Sequence, residues 1–300
     1  MIKLAERYIT FVEDSRVQFK YFMLTFLTFV TLRNFLEIFS DKSKVSIISF
    51  EGHLHFYLSY ICMALTMMLL FHLATGEKIA KIARLILFSF FFVLSAPIFD
   101  LIISLGQGYD IAYLMPQEPG RLLLRYLTLG GSFTEGGVTI GLKLEGILVL
   151  LASFFYFRAK RLGSLKSLLF VLAIYTLVFT YAITPLVLQA LLGAFGLVGR
   201  LTDSMLYAKF YLILIFAQFL MLAWKWNRRY CISILKDIRP LRQLHSQLMF
   251  ALGAALGPGL DWRQDTGFDL ALIVISIACA CLFVIIANNL EDQKRDRSLN

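Results

Sequence analysis

Charged residues are scarce in this sequence. They make up 16% of its 300 residues, whereas hydrophobic residues make up 59%. Soluble domains carry about 25% charged and about 45–50% apolar residues, so the composition excludes an ordinary soluble enzyme or binding domain. It is typical of a protein whose helices cross a membrane several times. We therefore predict an all-α, polytopic transmembrane helical bundle, a multi-pass protein of the cell (inner) membrane.

Cysteine and cleavage signals are also sparse. The four cysteines form no C-x-x-C pair, which argues against a disulfide framework or a zinc site. No small-residue cleavage site follows the first apolar run, which is too long for the core of a signal peptide. The net charge is +9, but the basic residues lie in short loops between apolar runs. That placement indicates membrane topology and no nucleic-acid partner.

Eight apolar segments are candidates to cross the membrane, which takes about 20 helical residues for about 30 Å of hydrocarbon. Pro185 falls within the fifth segment, where we expect a kink and not a break. Basic residues concentrate in alternate loops, so the positive-inside rule predicts that both termini are cytoplasmic. The predicted segments are 19–39, 54–74, 82–105, 140–157, 167–192, 205–224, 244–260 and 268–288.

One long outer stretch, residues 106–139, interrupts this pattern. Its glycines and prolines are typical of turns. Its middle, "GRLLLRYLTLGG", is short and amphipathic, which predicts a helix lying in the outer membrane interface. A second boundary is the strongly basic segment 225–243, which follows six predicted spans and precedes two. We predict a six-helix module at 1–230, of unknown role, and a second module that begins at 231.

The strongest chemical pattern is "NNLEDQKRDR" at 288–297. Asn288, Asp292 and Asp296 are spaced i, i+4, i+8, so on a helix they lie along one face. Aligned oxygen ligands suit Mg²⁺, which binds carboxylates together with waters and substrate phosphates. Lys294 and Arg297 supply positive charge beside them. The alternative interpretation is a charged helix end that only fixes the membrane boundary.

Upstream of that motif, "DIRPLRQ" places Arg239 and Pro240 before a Gly/Ala-rich helix, and a second apolar helix then leads into Asn288. This order resembles the start of the UbiA-type intramembrane prenyltransferase superfamily. In that family an Arg-Pro segment opens the first helix, and the second ends on the cytoplasmic side in N-D-x-x-D-x-x-x-D. The sequence departs from the motif at Asn289, where the family often has Asp. The resemblance covers residues 231–300 only.

The resemblance implies a membrane prenyltransferase that uses Mg²⁺. Family members bind a prenyl diphosphate through two Asp-rich motifs and transfer the prenyl group to a lipophilic acceptor, often an aromatic ring. It implies that Asn288, Asp292 and Asp296 bind the metal and diphosphate, with Lys294, Arg297 and Arg239 as candidate diphosphate contacts. The second Asp-rich motif is absent from these residues. We therefore expect this chain to be the front part of a longer protein and inactive alone.

The first 230 residues do not resemble that family, but they contain charges within predicted spans. Arg33 and Glu37 are an i, i+4 pair in the first span. Intramembrane charges are functional candidates by default. The pair is either a local ion pair or part of a polar site with Asp100, which ends the third span on the same side. Glu135 and Glu145 are further candidates for that site, but no catalytic set emerges from these residues.

A second hypothesis belongs to another functional class. The protein could be a non-catalytic membrane sensor, lipid-binding or assembly module whose charged C-terminal tail only sets topology. A second Asp-rich motif about four helices beyond Asn300 would favour the enzyme.

Overall fold

The fold is taken from a computed structural model. It describes residues 2–42, 50–109, 113–114, 119–131, 138–194, 204–237, 244–245, 247–249, 252–253 and 266–299. Within these ranges, side chains are described except at 2–4, 119, 235–237, 266–267 and 285–299. The regular structure of the described residues is helical, and their only β-type pairing is an isolated bridge between Asp41 and Tyr109. The predicted all-α class is therefore confirmed for this part of the chain.

The helices are numbered here in chain order. They are α1 (Ile2–Glu13), α2 (Phe19–Ser40), α3 (Phe50–Thr75), α4 (Ile79–Ser89), α5 (Ser95–Ile103), α6 (Pro119–Leu127), α7 (Ile140–Ala159), α8 (Ser164–Ala182), α9 (Thr184–Ala194), α10 (Ser204–Trp226), α11 (Arg228–Asp237) and α12 (Thr266–Leu299). A 3-10 segment, Phe90–Leu94, joins α4 to α5 within one apolar rod.

Within the described part of the chain, six helical rods are long and apolar enough to cross a membrane. They are Phe19–Ser40, Phe50–Thr75, Ile79–Ile103, Ile140–Ala159, Ser164–Ala182 and Ser204–Trp226. Each coincides with one of the first six predicted segments. The chain is thus a multi-pass membrane protein. The seventh predicted segment, 244–260, lies mostly outside the described residues, and the eighth lies within α12.

The fifth predicted segment differs from expectation at Pro185. The prediction of a kink within one helix was wrong, because α8 ends at Ala182 and α9 begins at Thr184. Proline lacks an N–H and is tolerated in the first turn of a helix, where no carbonyl is waiting for that donor. Pro185 stands in the first turn of α9, so the chain starts a new helix there.

Two apolar clusters hold the helices together. The larger one runs between α1, α2, α3, α4, α7 and α8, with Phe26, Phe71 and Ile82 buried. The smaller one joins α3, α9 and α10 around Cys62, Leu188 and Tyr211. Helix α12 packs on α10, where the Nζ atom of Lys209 lies 2.9 Å from Oδ1 of Asp269.

Candidate functional site

Helix α2 is apolar on most of its surface but buries a polar stripe. Arg33, Asn34, Glu37 and Ser40 are each at most 2% exposed. They lie at positions i, i+1, i+4 and i+7, which share one side of a helix. A buried charge in a membrane helix is costly and typically faces protein groups that compensate it. This stripe therefore marks the polar centre of the bundle.

Arg33 stands between two carboxylates that come from different helices. Its Nη1 atom lies 3.3 Å from Oε2 of Glu37, one turn along α2. Its Nε atom lies 4.0 Å from Oε2 of Glu145 on α7. The Tyr60 hydroxyl of α3 is a further hydrogen-bond partner of the guanidinium. We name these four residues and Asn34 the polar cluster.

Helix α7 brings Glu145 to the cluster. Glu145 accepts a hydrogen bond from the backbone N–H of Ala96, in the first turn of α5. Its side chain is 15% exposed, whereas that of Glu37 is 3% exposed. Glu145 is therefore the less buried side chain of the two, although its Oε2 atom is itself buried.

Asp100 has a different partner from the one that the sequence suggested. Its Oδ2 atom accepts a 2.6 Å hydrogen bond from the Thr139 hydroxyl, and its Oδ1 atom accepts a 2.8 Å bond from the Gly141 N–H. Both donors belong to the start of α7, where backbone N–H groups lack partners and a negative charge is favoured. Asp100 thus caps α7, and its charge acts on Glu37 only from a distance.

Close approach of α5 and α7 makes this arrangement possible. A Cβ atom at Gly141 would lie 2.2 Å from the Ala96 carbonyl oxygen and 2.6 Å from Cγ of Asp100. Only glycine allows the two backbones to come so near. The same contact aligns α7 so that Glu145, one turn further along, reaches Arg33.

Several buried atoms of the cluster have no hydrogen-bond partner among the described residues. On Arg33 they are Nε and Nη1, and on the carboxylates they are Oε2 of Glu37 and Oε2 of Glu145. The amide nitrogen and oxygen of Asn34 belong to the same set. Buried polar atoms are paired in the great majority of cases. Their concentration here indicates a polar site and not a closed structural ion pair.

A neutral polar network lies elsewhere in the bundle, between α3, α8 and α10. The Tyr181 hydroxyl donates to Sγ of Cys62 at 3.0 Å, and the Gln218 amide donates to the Thr66 hydroxyl at 2.6 Å. The Thr184 and Tyr211 hydroxyls are 2.8 Å apart. Such bonds between helices are an ordinary means of packing in membranes, and we assign them that structural role.

A third polar group, which consists of charged residues, lies outside the spans. Lys160, just after α7, donates to Oε2 of Glu13 at 2.6 Å and to Oε1 of Glu77 at 2.9 Å. The hydrogen bond from Lys160 lowers the pKa of the Glu77 carboxyl. Burial acts to lower the pKa of Lys160, but its hydrogen bonds to both glutamates outweigh that effect and the pKa is raised. These bonds join α1, the α3–α4 loop and the α7–α8 loop.

The C-terminal motif can be followed only along its backbone. Helix α12 runs without a break from Thr266 to Leu299, so Asn288, Asp292 and Asp296 stand at successive turns along one side of it. The side chains of these residues and of Lys294 and Arg297 lie outside the described ones, as does all of Arg239. Among the side chains that are described, no group of three metal-ligating residues occurs.

Comparisons with protein-family models, with curated proteins and with solved structures each find no match for this chain. The functional assignment therefore depends on the residues and on their geometry.

Sequence and structure converge on part of the site. The sequence indicated that Arg33 and Glu37 form either a local ion pair or part of a polar site with Asp100, with Glu135 and Glu145 as further candidates. Glu135 lies outside the described residues. The structure brings Arg33, Glu37 and Glu145 together and gives Asp100 its capping role. Asn34 and Tyr60 were not predicted. The sequence contained a signal for Asn34, since an amide beside Arg33 and one turn before Glu37 widens the same polar face. It contained no signal for Tyr60, which is one tyrosine in an aromatic-rich span.

Proposed function

We propose that this chain belongs to a membrane prenyltransferase that uses Mg²⁺, and that it contributes the first half of the diphosphate site. The proposal extends the resemblance of residues 231–300 to the UbiA-type superfamily. One observation supports it best. Helix α12 has 34 residues, about 51 Å of helix, so it is long enough to cross a bilayer and still carry Asn288, Asp292 and Asp296 beyond the apolar part.

In the proposed reaction, the bond between the allylic carbon and the diphosphate oxygen breaks, and its electron pair leaves with the diphosphate. The allylic carbon then bonds to the lipophilic acceptor, which loses a proton when it is an aromatic ring. Asn288, Asp292 and Asp296 would hold Mg²⁺, which when bound supplies charge that stabilises the departing diphosphate. Lys294, Arg297 and Arg239 would add positive charge around it. The apolar bundle would exclude water from the cation.

The test measures Mg²⁺-dependent release of pyrophosphate from prenyl diphosphates by the full-length protein, including any residues that follow Asn300. We expect Asp292→Ala and Asp296→Ala each to lower the rate by at least about 100-fold, as loss of electrostatic stabilisation does. Glu6→Ala is the matched control, because it removes an exposed carboxylate from α1, away from α12. Rates that stay unchanged in both Ala variants would contradict the site assignment.

A second candidate, a non-catalytic assembly module, has its own observation in favour. Helix α12 is held on the six-span part by the Lys209–Asp269 ion pair, and Phe268 packs against the Tyr211 cluster. Residues 1–230 would then serve to hold the C-terminal helix in place. This role requires no reaction at Asp292 or Asp296.

A photo-crosslinking amino acid at position 268 of the full chain tests this contact. We expect crosslinks to α10, fewer of them in Lys209→Glu, and recovery in the Lys209→Glu/Asp269→Lys double variant. Crosslinks that do not change with these charges would contradict the assembly role of the ion pair. Intact crosslinking without pyrophosphate release from any prenyl diphosphate would favour the module over the enzyme.

A further inference from the structure

The polar cluster has more negative than positive charge. Arg33 supplies the one cation, and Glu37 and Glu145 supply two carboxyl groups within 4.0 Å of it. Tyr60 is neutral, and the carboxylate of Asp100 accepts hydrogen bonds from Thr139 and Gly141 at the start of α7. Among the described residues, the titratable groups that act on one another here come from four helices. They are Arg33, Glu37 and the following Asp41 from the α2 segment, Tyr60 from α3, Asp100 from α5 and Glu145 from α7.

Contact geometry shows that Arg33 does not satisfy both carboxyl groups. The 4.0 Å between its Nε atom and Oε2 of Glu145 is too long for a hydrogen bond. The contact of Nη1 with Oε2 of Glu37 is 3.3 Å long but does not have the alignment of a hydrogen bond. Each carboxyl group therefore keeps one buried oxygen that lacks a donor among the described residues.

Energetics favour a small cationic ligand at this position. Two carboxylates near one guanidinium leave a net negative charge inside the bundle, where an uncompensated charge costs several kcal/mol. A proton on one carboxyl group removes that charge. A metal cation fits less well, because Arg33 repels it and no set of three metal ligands occurs among the described side chains.

We infer that Glu37 and Glu145 together bind one exchangeable proton beside Arg33. The two glutamates titrate as a coupled pair, so the proton belongs to the pair and not to one residue. This proton site is independent of the proposed prenyl transfer.

Infrared spectroscopy of the full chain in lipid nanodiscs at neutral pH tests the inference. The wild type should show the carbonyl stretch of one protonated carboxyl group, with a shift in D₂O because its proton exchanges. Glu145→Gln and Glu37→Gln should each remove that band, because the remaining carboxylate then forms a balanced ion pair with Arg33. Arg33→Met should roughly double it, because both carboxyl groups then lose their counter-ion.

Glu6→Gln is the control variant and should leave the band unchanged, because Glu6 is exposed. Circular dichroism verifies that each variant keeps its helices, and the wild-type spectrum is decisive even if a variant fails to fold. A wild type without a D₂O-sensitive band would overturn the inference, as would a band that persists in both Gln variants. Loss of the wild-type band on addition of Na⁺ at fixed pH would assign the site to a metal cation instead.

Discussion

Gly141 and Gly146 lie on the same helix but differ in the space available for a side chain, so they form a matched pair of positions. A Cβ atom at Gly141 would lie 2.2 Å from the Ala96 carbonyl oxygen, whereas one at Gly146 meets nothing within 4 Å. We expect Gly141→Ala to lower the free energy of unfolding in detergent by about 1–3 kcal/mol, because α5 and α7 must move apart. Gly146→Ala should raise it by about 0.5–1 kcal/mol, because alanine favours the helix.

The same pair separates packing from chemistry. If Gly141→Ala shifts α7, it also moves Glu145 away from Arg33, so the protonated-carboxyl band of the cluster should change in that variant but not in Gly146→Ala. Equal stability of the two alanine variants would contradict the close approach of α5 and α7.

Charged residues within spans were predictable from the sequence, but their partners were only partly so. Arg33 and Glu37 are four residues apart on one helix, and that spacing alone places them together. Glu145 required knowledge of how α7 packs, since nothing local relates it to Arg33. The partners of Asp100 also depended on tertiary contacts, because the groups that donate hydrogen bonds to it belong to Thr139 and Gly141 at the start of α7.

Lys160 joins three segments of the chain through one side chain. We expect Lys160→Met to lower the free energy of unfolding by about 3 kcal/mol near neutral pH, because Glu13 is 2% exposed and loses its cation. The measurement is thermal unfolding in detergent, with Lys166→Met as control. Lys166 is exposed, so its replacement should have little effect.

The contribution of Lys160 should depend on pH with a defined sign. The folded-state pKa of Glu77 is depressed, so its stabilising contribution is present above the unfolded value of about 4.3 and is lost as pH falls through the folded value. The raised pKa of Lys160 places the loss of its charge at high pH, outside this range. The gap in unfolding temperature between wild type and Lys160→Met should therefore narrow as the pH falls below about 4.3. A gap that widens on acidification would contradict the ion pair.

Most elements of the bundle could be predicted because membrane thickness fixes the length of a span, and continuous apolar runs reveal it. Helix α6 at Pro119–Leu127 was likewise expected from its amphipathic pattern. The start of a new helix at Pro185 was not predicted. Proline permits either a kink within a helix or the start of a new one, and the choice depends on tertiary contacts such as the 2.8 Å hydrogen bond between the Thr184 and Tyr211 hydroxyls.

The two ends of the bundle differ in the residues that they contain. One end contains Glu13, Glu77 and Lys160 with most of the basic loop residues. At the other end, the segments after α2 and α5 pair through the Tyr109 N–H, which donates to the Ser40 carbonyl oxygen at 2.8 Å. The proposed diphosphate site requires the basic end to be cytoplasmic, because the family motif lies on that side.

Orientation can be tested with two cysteines at opposite ends of a single span. Lys78 precedes the rod Ile79–Ile103, Gln107 follows it, and both residues are exposed. In a background without the four native cysteines, a membrane-impermeant thiol reagent applied to intact cells should label Gln107→Cys and spare Lys78→Cys. Both should react after permeabilisation. Because one helix joins the two positions, the reverse pattern would place the basic loops outside, contrary to the positive-inside rule. It would also move the segment at Asn288, Asp292 and Asp296 away from the cytoplasmic side and so remove the topological basis of the prenyltransferase proposal.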